Sequence, residues 1–236
     1  MLKVREIRKS FGGLQALKGV SFDIPDRSIL GVIGMNGSGK TTLLNCINGI
    51  YQADGGSVEL DGQAITHQTP RQAAERGLGR TFQVPRLFPR LTLDENLEIP
   101  LIPRGVSPKE SRARADHWLD KVLLSRLRRN YASELSGGQQ KLLELARIMV
   151  TQPKLILLDE PFAGVNPELA LRLIEIIRRI PTENGCSVML VSHDLTSIYQ
   201  LSDHIVVLNE GAIISEGGVD QVKGDPAVIE AYLGAD

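Results

Sequence analysis

The spacing of apolar and polar residues changes character along this chain, and each change marks a different kind of element. Residues 2–7 and 20–24 read as short strands, with a turn at Pro25-Asp26. Residues 29–33 form an apolar, β-rich run that stops at Gly34. Beyond a glycine cluster, residues 41–48 carry apolar side chains at helical spacing, so the segment predicts strand, loop and helix in succession. Residues 57–60, followed by Asp61-Gly62, predict part of a hairpin.

From about residue 87 the alternation gives way to helical periods. Pro85, Pro89, Pro100, Pro103 and Pro108 separate predicted helices at 93–98 and 109–124, and a longer helix follows at 138–150. The run from Arg126 to Arg129 is read as a solvated face. After Pro153 the strand–helix alternation resumes. Residues 155–158 and 187–191 are continuous apolar strands of the kind buried on both faces of a parallel sheet. Residues 167–180 lie between them as the crossover helix. Residues 205–208 and 212–215, joined through Asn209-Glu210-Gly211, predict a terminal hairpin. No internal repeat appears. The pattern predicts one α/β domain over 1–236: a β sub-domain and the start of a core over about 1–86, an inserted helical sub-domain over about 87–150, and the rest of the core over about 151–236.

Composition narrows the function classes. The chain has 236 residues, 42% of them hydrophobic and 23% charged, which is ordinary for a globular protein with a full core. Its 27 Lys and Arg against 28 Asp and Glu leave no basic excess, so a phosphate-neutralising nucleic-acid surface is not expected. No stretch approaches the roughly 20 apolar residues that cross a bilayer, and Met1-Leu2-Lys3-Val4-Arg5-Glu6 carries no apolar signal core. Any service to a membrane is therefore expected from outside the lipid. Cys46 and Cys186 are expected as separate buried thiols, in keeping with a reducing cytoplasm.

Three motifs carry chemistry. Gly34-Met35-Asn36-Gly37-Ser38-Gly39-Lys40-Thr41 has the spacing of a phosphate loop. Glycines let backbone N–H groups turn toward anionic oxygens, and the helix that follows adds its dipole. Lys40 is expected on the β- and γ-phosphates and the Thr41 hydroxyl on Mg²⁺, with Thr42 next in line at the nucleotide. Leu155-Ile156-Leu157-Leu158-Asp159-Glu160 is an apolar strand ending in two carboxylates. Asp159 suits the magnesium sphere, and Glu160 faces an attacking water as general base. Leu135-Ser136-Gly137-Gly138-Gln139 opens a helix and builds a further anion-binding N-terminus. His67, His117 and His204 lack ligand spacing and are read as surface or packing residues.

With these three motifs together, the chain resembles the ABC ATPases over nearly its whole length. That resemblance implies a P-loop NTPase (RecA-like) core, an N-terminal antiparallel β sub-domain and an inserted α-helical sub-domain. It also implies ATP and Mg²⁺, and a nucleotide sandwich in which Leu135 to Gln139 of one subunit face the phosphate loop of another. Phe11 sits where the family stacks an aromatic on adenine. Gln83, in Thr81-Phe82-Gln83, matches the glutamine that meets Mg²⁺ or the water and senses the transport partner. His193, in Val191-Ser192-His193-Asp194, matches the histidine that contacts the γ-phosphate. One departure stands out: after Glu160 the family carries Ala-Leu-Asp, whereas Pro161-Phe162-Ala163-Gly164-Val165-Asn166 has Asn166 at the aspartate position.

Local strings resemble the bacterial branched-chain amino acid importer ATPases, the LivG group. They include Thr81-Phe82-Gln83, Arg86-Leu87-Phe88-Pro89-Arg90, Ala163-Gly164-Val165-Asn166-Pro167 and the ending from Asp225 to Gly234. The segment between Asn96 and Ser133 is shorter than in that group. The resemblance implies a second ATPase subunit, integral membrane permeases, a periplasmic or extracellular solute-binding protein, and a place at the cytoplasmic face of the membrane. It also implies a groove near Phe88-Pro89-Arg90 that receives the permease. An ATPase of a lipid or lipopolysaccharide exporter and an iron–sulfur assembly scaffold are the alternatives on the same engine.

Overall fold

The computed structural model describes residues 1–233, so of the strings named above only Gly234 lies outside. In chain order the strands are β1 (Leu2–Phe11), β2 (Leu14–Ile24), β3 (Ile29–Ile33), β4 (Gly55–Leu60) and β5 (Gln63–Ala64). They continue with β6 (Leu78–Arg80), β7 (Leu155–Asp159), β8 (Ser187–Val191), β9 (His204–Asn209) and β10 (Ala212–Gly217). The helices are α1 (Lys40–Ile47), α2 (Pro70–Glu75), α3 (Leu93–Glu98), α4 (Pro108–Lys121) and α5 (Gly137–Met149). After them come α6 (Pro167–Asn184), α7 (Leu195–Leu201), α8 (Val219–Lys223) and α9 (Pro226–Leu233).

Two sheets result. The first is antiparallel in the order β2-β1-β4-β5, and the second runs β10-β9-β3-β8-β7-β6. In the second, β9, β3, β8, β7 and β6 are parallel and β10 closes the edge antiparallel. Strands β3, β7 and β8 bury all five of their residues. Their alternate side chains serve two different cores. Ile29 and Ile33, Ile156 and Leu158, and Val188 and Leu190 face the helices around Leu97, Trp118 and Leu142. Leu30 and Val32, Leu155 and Leu157, and Met189 and Val191 face α1 and the antiparallel sheet. Their interior positions therefore face an apolar core on either side, which is why residues 155–158 and 188–191 read as apolar runs, with the buried polar residues Asp159 and Ser187 at strand ends.

The N-terminal strands are longer than their hydrophobic pattern predicts. In β1, Leu2 and Val4 point inward, but the next inward residue is Ile7, not residue 6. Register shifts against β2 between Val4 and Ile7, and Glu6 stands at a positive φ of 49°. Glu6 is the extra residue of a bulge that restores the inward face. The pairing then continues to Phe11 and Leu14, so the β1–β2 hairpin extends well beyond residues 7 and 20.

Other differences have local causes. Helix α6 runs through the buried Pro181 to Asn184 and stops at Gly185, whose φ of 65° is the left-handed terminator of a helix. The apolar stripe through Ile176, Ile177 and Ile180 holds it past the proline. Arg128 is not part of a solvated face: it donates to both carboxylate oxygens of Asp94, at 3.0 and 2.8 Å, and also pairs with Asp116. It thereby ties the chain after α4 back to α3. Helix α2 forms on a capping box, with Thr69 accepting from the Gln72 amide and Gln72 accepting from Thr69.

Both cysteines are free and buried, at 1% and 0% exposure. Burial pushes the Cys46 thiol up to about 11 and the Cys186 thiol up to about 12. At pH 8 the native protein is expected to react with neither equivalent of a disulfide reagent, and to react with both once unfolded in denaturant. Rapid labelling of the native protein at either position would contradict this burial.

Candidate active site

The site assembles where the parallel strands end. The loop after β3 runs from Gly34 to Gly39 and delivers Lys40 as the first residue of α1. Two of its glycines are required by space. A Cβ on Gly34 would lie 2.2 Å from the Leu208 carbonyl, and one on Gly39, at φ 104°, 2.7 Å from the Ala16 carbonyl. Neighbouring elements pin the loop: the Gly211 amide donates to the Ser38 carbonyl at 3.0 Å, and the Lys18 amide donates to Gly211 at 2.8 Å. The loop is thus held against both the β9–β10 turn and β2.

Lys40 lies almost wholly inside this cage. Its Nζ donates to the carbonyls of Gly34 at 2.6 Å and Met35 at 2.9 Å, and to Ser38 Oγ at 3.3 Å. Burial lowers its pKa, against the upward pull of Glu160 and Asp159. Asp159, at the end of β7, is buried. Its amide donates to Thr81 Oγ1 at 3.2 Å, and its Oδ2 lies 3.4 Å from Arg80 Nη2. Burial raises the Asp159 pKa while Arg80 and Lys40 oppose the rise.

Glu160 stands at φ 48°, a conformation that an ordinary residue keeps only when its surroundings hold it there. Its amide donates to the Val191 carbonyl at 2.9 Å, and its carbonyl accepts from Lys141 Nζ at 2.7 Å. The carboxylate is gripped by the loop after β8. Ser192 Oγ donates to Oε2 at 3.0 Å, the His193 amide to Oε1 at 3.0 Å, and His193 Nδ1 lies 2.9 Å from Oε2. Glu160 and His193, 33 positions apart, are therefore direct partners.

These groups open on a cleft of about 860 Å³. Phe11, Asn36, Gly37, Ser38, Gly39, Lys40, Thr41, Thr42, Gln83, Asp159, Glu160 and His193 all line it. Gly34 does not; it lies buried beneath and contributes its carbonyl to Lys40. Phe11 forms the outer wall, with its ring set edge-on to Tyr51 at 5.2 Å. Leu135, Ser136, Gly137, Gly138 and Gln139 do not reach the cleft of their own chain. Ser136 caps α5 in a reciprocal box with Gln139, whose side chain accepts from the Ser136 amide at 2.9 Å. A Cβ on Gly138 would lie 2.9 Å from Leu169 of α6, so the glycine lets the two helices approach. Asn166 caps that same α6 through a 2.9 Å bond from the Leu169 amide, a task that its amide oxygen performs without a carboxylate's charge.

Sequence reasoning missed several residues. Gln15, Ala16, Lys18 and Glu210 line the cleft from the β1–β2 hairpin and the β9–β10 turn, where no motif marks them. Arg80, Lys141 and Ser192 touch the carboxylate pair, and of these only Ser192 adjoins a recognised site residue. A second cavity, of about 870 Å³, runs beside Phe82, Arg86, Leu87 and Phe88, with Arg147 and Pro103 among its walls. Phe88 lines it; Pro89 and Arg90 do not.

The resemblance to known proteins is broad. Residues 17–163 match the family model described as ABC transporter, and residues 212–236 match that of the branched-chain amino acid ATP-binding cassette transporter. The chain is 38% identical to the high-affinity branched-chain amino acid transport ATP-binding protein BraF of Pseudomonas aeruginosa, covering 99% of this chain and 98% of that protein. It is 36% identical to LivG of Escherichia coli K12, with the same coverage. Both alignments run over 251 positions against 236 residues here, as a shorter chain requires. Among solved structures, a nucleotide-free ATP-binding cassette from an ABC transporter superposes with a TM-score of 0.88 at 36% identity, covering 98% of each chain. An ADP-bound cassette of an ABC transporter gives 0.87 at 36% identity, covering 99% of this chain and 98% of that one. A phosphate-loop cleft on this fold, matched across nearly the whole length of such relatives, places the chain in the ABC transporter ATP-binding family, as an ATP-binding ATPase.

Proposed function

We propose that this protein powers the uptake of branched-chain or other hydrophobic amino acids, as a peripheral subunit at the cytoplasmic face of the membrane. The observation that carries the ATPase mechanism is the convergence of Lys40, Asp159, Glu160 and His193 on one cleft, with the Ser136 loop outside it. The relatives named above are branched-chain amino acid transport ATPases, which favours this cargo over lipid export or iron–sulfur assembly. Among the described residues no helix is long and apolar enough to cross a membrane, and in this reading the permease is a separate subunit, as the relatives' description as ATP-binding proteins of transport systems suggests. The cavity beside Phe88 is where it docks, and a solute-binding protein presents the amino acid on the far side. The division at about 87–150 separates the part that bears the Ser136 loop from the part that bears Lys40.

In this reading Phe11 stacks on adenine. The loop amides from Asn36 to Gly39 and the N-terminus of α1, with Thr41 and Thr42, hold the phosphates. Lys40 exchanges its loop carbonyls for β- and γ-phosphate oxygens. Thr41, Gln83 and Asp159 supply a hydroxyl, an amide oxygen and a carboxylate. This all-oxygen set suits Mg²⁺, which binds through one or two carboxylates together with substrate phosphates. When bound, the cation offsets the charge on the phosphoryl oxygens. Glu160 takes the proton of the attacking water as that oxygen bonds to the γ-phosphorus and the bond to ADP breaks. His193 orients Glu160 through Nδ1 and meets the γ-phosphate. The Ser136 loop of a second ATPase subunit, either a copy or a paralogue, closes over the nucleotide.

Glu160→Gln is expected to leave ATP binding intact, to lower hydrolysis by about 10²-fold or more, and to accumulate a closed dimer. Normal turnover in that variant would remove Glu160 from the role of base. Ser136→Arg should depress turnover while leaving nucleotide affinity of the isolated subunit unchanged; a loss of that affinity would place Ser136 in its own chain's site. Capture of the tagged protein from detergent-solubilised membranes should recover integral membrane subunits. Deletion of the gene should lower uptake of labelled leucine, isoleucine or valine. Recovery with soluble proteins alone, together with unchanged uptake, would sink the transport reading.

A further inference from the structure

Asp159 already has a cation beside it. Arg80 ends β6, two positions beyond Leu78, and its register partner Leu157 lies two residues before Asp159 on β7. The Arg80 Nη2 to Asp159 Oδ2 distance is 3.4 Å, and the two side chains are 4% and 7% exposed. The guanidinium also lies over the Phe82 ring, 5.0 Å from its centroid. Its Nε and Nη1 are buried, with no acceptor among the described residues. Arg80 is therefore a desolvated cation whose one anionic partner among the described residues is the carboxylate assigned above to the metal. Its hold is a single long contact, not a two-bonded fork. Arg80 also lines the cavity beside Phe88.

We propose that Arg80 is a positioning residue that competes with the divalent cation for Asp159 and so sets how tightly the nucleotide site holds metal. The inference rests on the reading of Asp159 as a metal ligand. An arginine does not lose its proton in a protein, so it cannot relieve the repulsion by neutralising when a second cation approaches the same carboxylate. In a buried site that repulsion is poorly screened. The Phe82 face is where the guanidinium remains when Asp159 turns to the metal. A purely structural Arg80, one that only holds Asp159 in place, predicts the opposite sign: removing it would loosen the metal.

The experiment uses the full chain with a non-hydrolysable ATP analogue and follows Mn²⁺ binding by electron paramagnetic resonance. Arg80→Met is expected to lower the half-saturating Mn²⁺ concentration by about tenfold. Arg80→Lys, which keeps the charge, should stay near the wild-type value. Circular dichroism and thermal melting report whether the variants fold, and Arg80→Gln is the neutral substitute if Arg80→Met does not. Asp159→Asn is the control for the underlying reading and should weaken Mn²⁺ binding. If Asp159→Asn has no effect, the metal assignment of Asp159 fails and this proposal fails with it. If Asp159→Asn weakens binding but the neutral Arg80 variants bind Mn²⁺ equally or more weakly than wild type, the competition is overturned and the assignment stands. Tightening in Arg80→Lys equal to that in Arg80→Met would overturn it as well.

Discussion

Everything at the cleft depends on one constraint: five parallel strands end on the same side, and their order brings distant loops together. With β3 beside β8, β8 beside β7 and β7 beside β6, four loops meet at one edge. They are the phosphate loop, the Ser192-His193 loop, the Asp159-Glu160 turn and the segment that holds Gln83. This is the crevice at the carboxyl ends of strands where open α/β sheets place their ligands. The strands that make the order possible are buried on both faces, so their register is fixed by apolar packing. Two carboxylates and a lysine sit on top of that apolar floor, where isolated charges are costly. Each is met by something: Lys40 by carbonyls, Asp159 by Arg80, and Glu160 by Ser192 and His193.

Glu160 shows how the packing is converted into geometry. A left-handed backbone at a glutamate costs of the order of 1–3 kcal/mol. Here the cost is offset by four anchors, from the Val191 carbonyl, Lys141, Ser192 and the His193 amide. Lys141 belongs to α5, the helix capped by Ser136, so the backbone of the proposed base is fixed by the same helix that the Leu135 to Gln139 motif opens. A change in the tilt of α5 would be felt at Glu160 through that single bond. The segment around Gln83 is gripped from the same helix: Glu144 accepts from the amides of Arg86, at 2.8 Å, and Phe82, at 3.3 Å.

Much of this was legible in the residues, for physical reasons that can be named. Strands β3, β7 and β8 read as strands because burial on both faces keeps their interior positions apolar, and the three motifs read as chemistry because phosphate binding demands glycine, lysine and carboxylate at fixed spacing. The start of helix α3 was legible because Thr92 and Glu95 form a capping box. What was hidden was either short or non-local. Strand β6 has three residues, too few for a period to show, and it carries Arg80. The outer halves of β1 and β2 are held by pairing across a bulge and not by a regular apolar face. Arg128 looked solvated because its partners, Asp94 and Asp116, lie 34 and 12 positions away. Cleft residues such as Lys18 and Glu210 arrive by topology alone.

The separation of Ser136 from its own chain's cleft is itself a physical statement about mechanism. Ser136 and Gly137 are exposed at the start of a well-formed helix, and neither lines the cleft that holds Lys40. A helix N-terminus with this polarity favours an anion, and within one chain no phosphate bound at Lys40 can satisfy it. Asn166 caps the helix whose Leu169 packs against Gly138, so the two stretches are in direct contact. Aspartate at that cap would add a negative charge beside the donor face meant for phosphate. Asparagine keeps the cap and omits the charge. The start of α6 therefore depends on the side-chain oxygen of Asn166 and not on a charge.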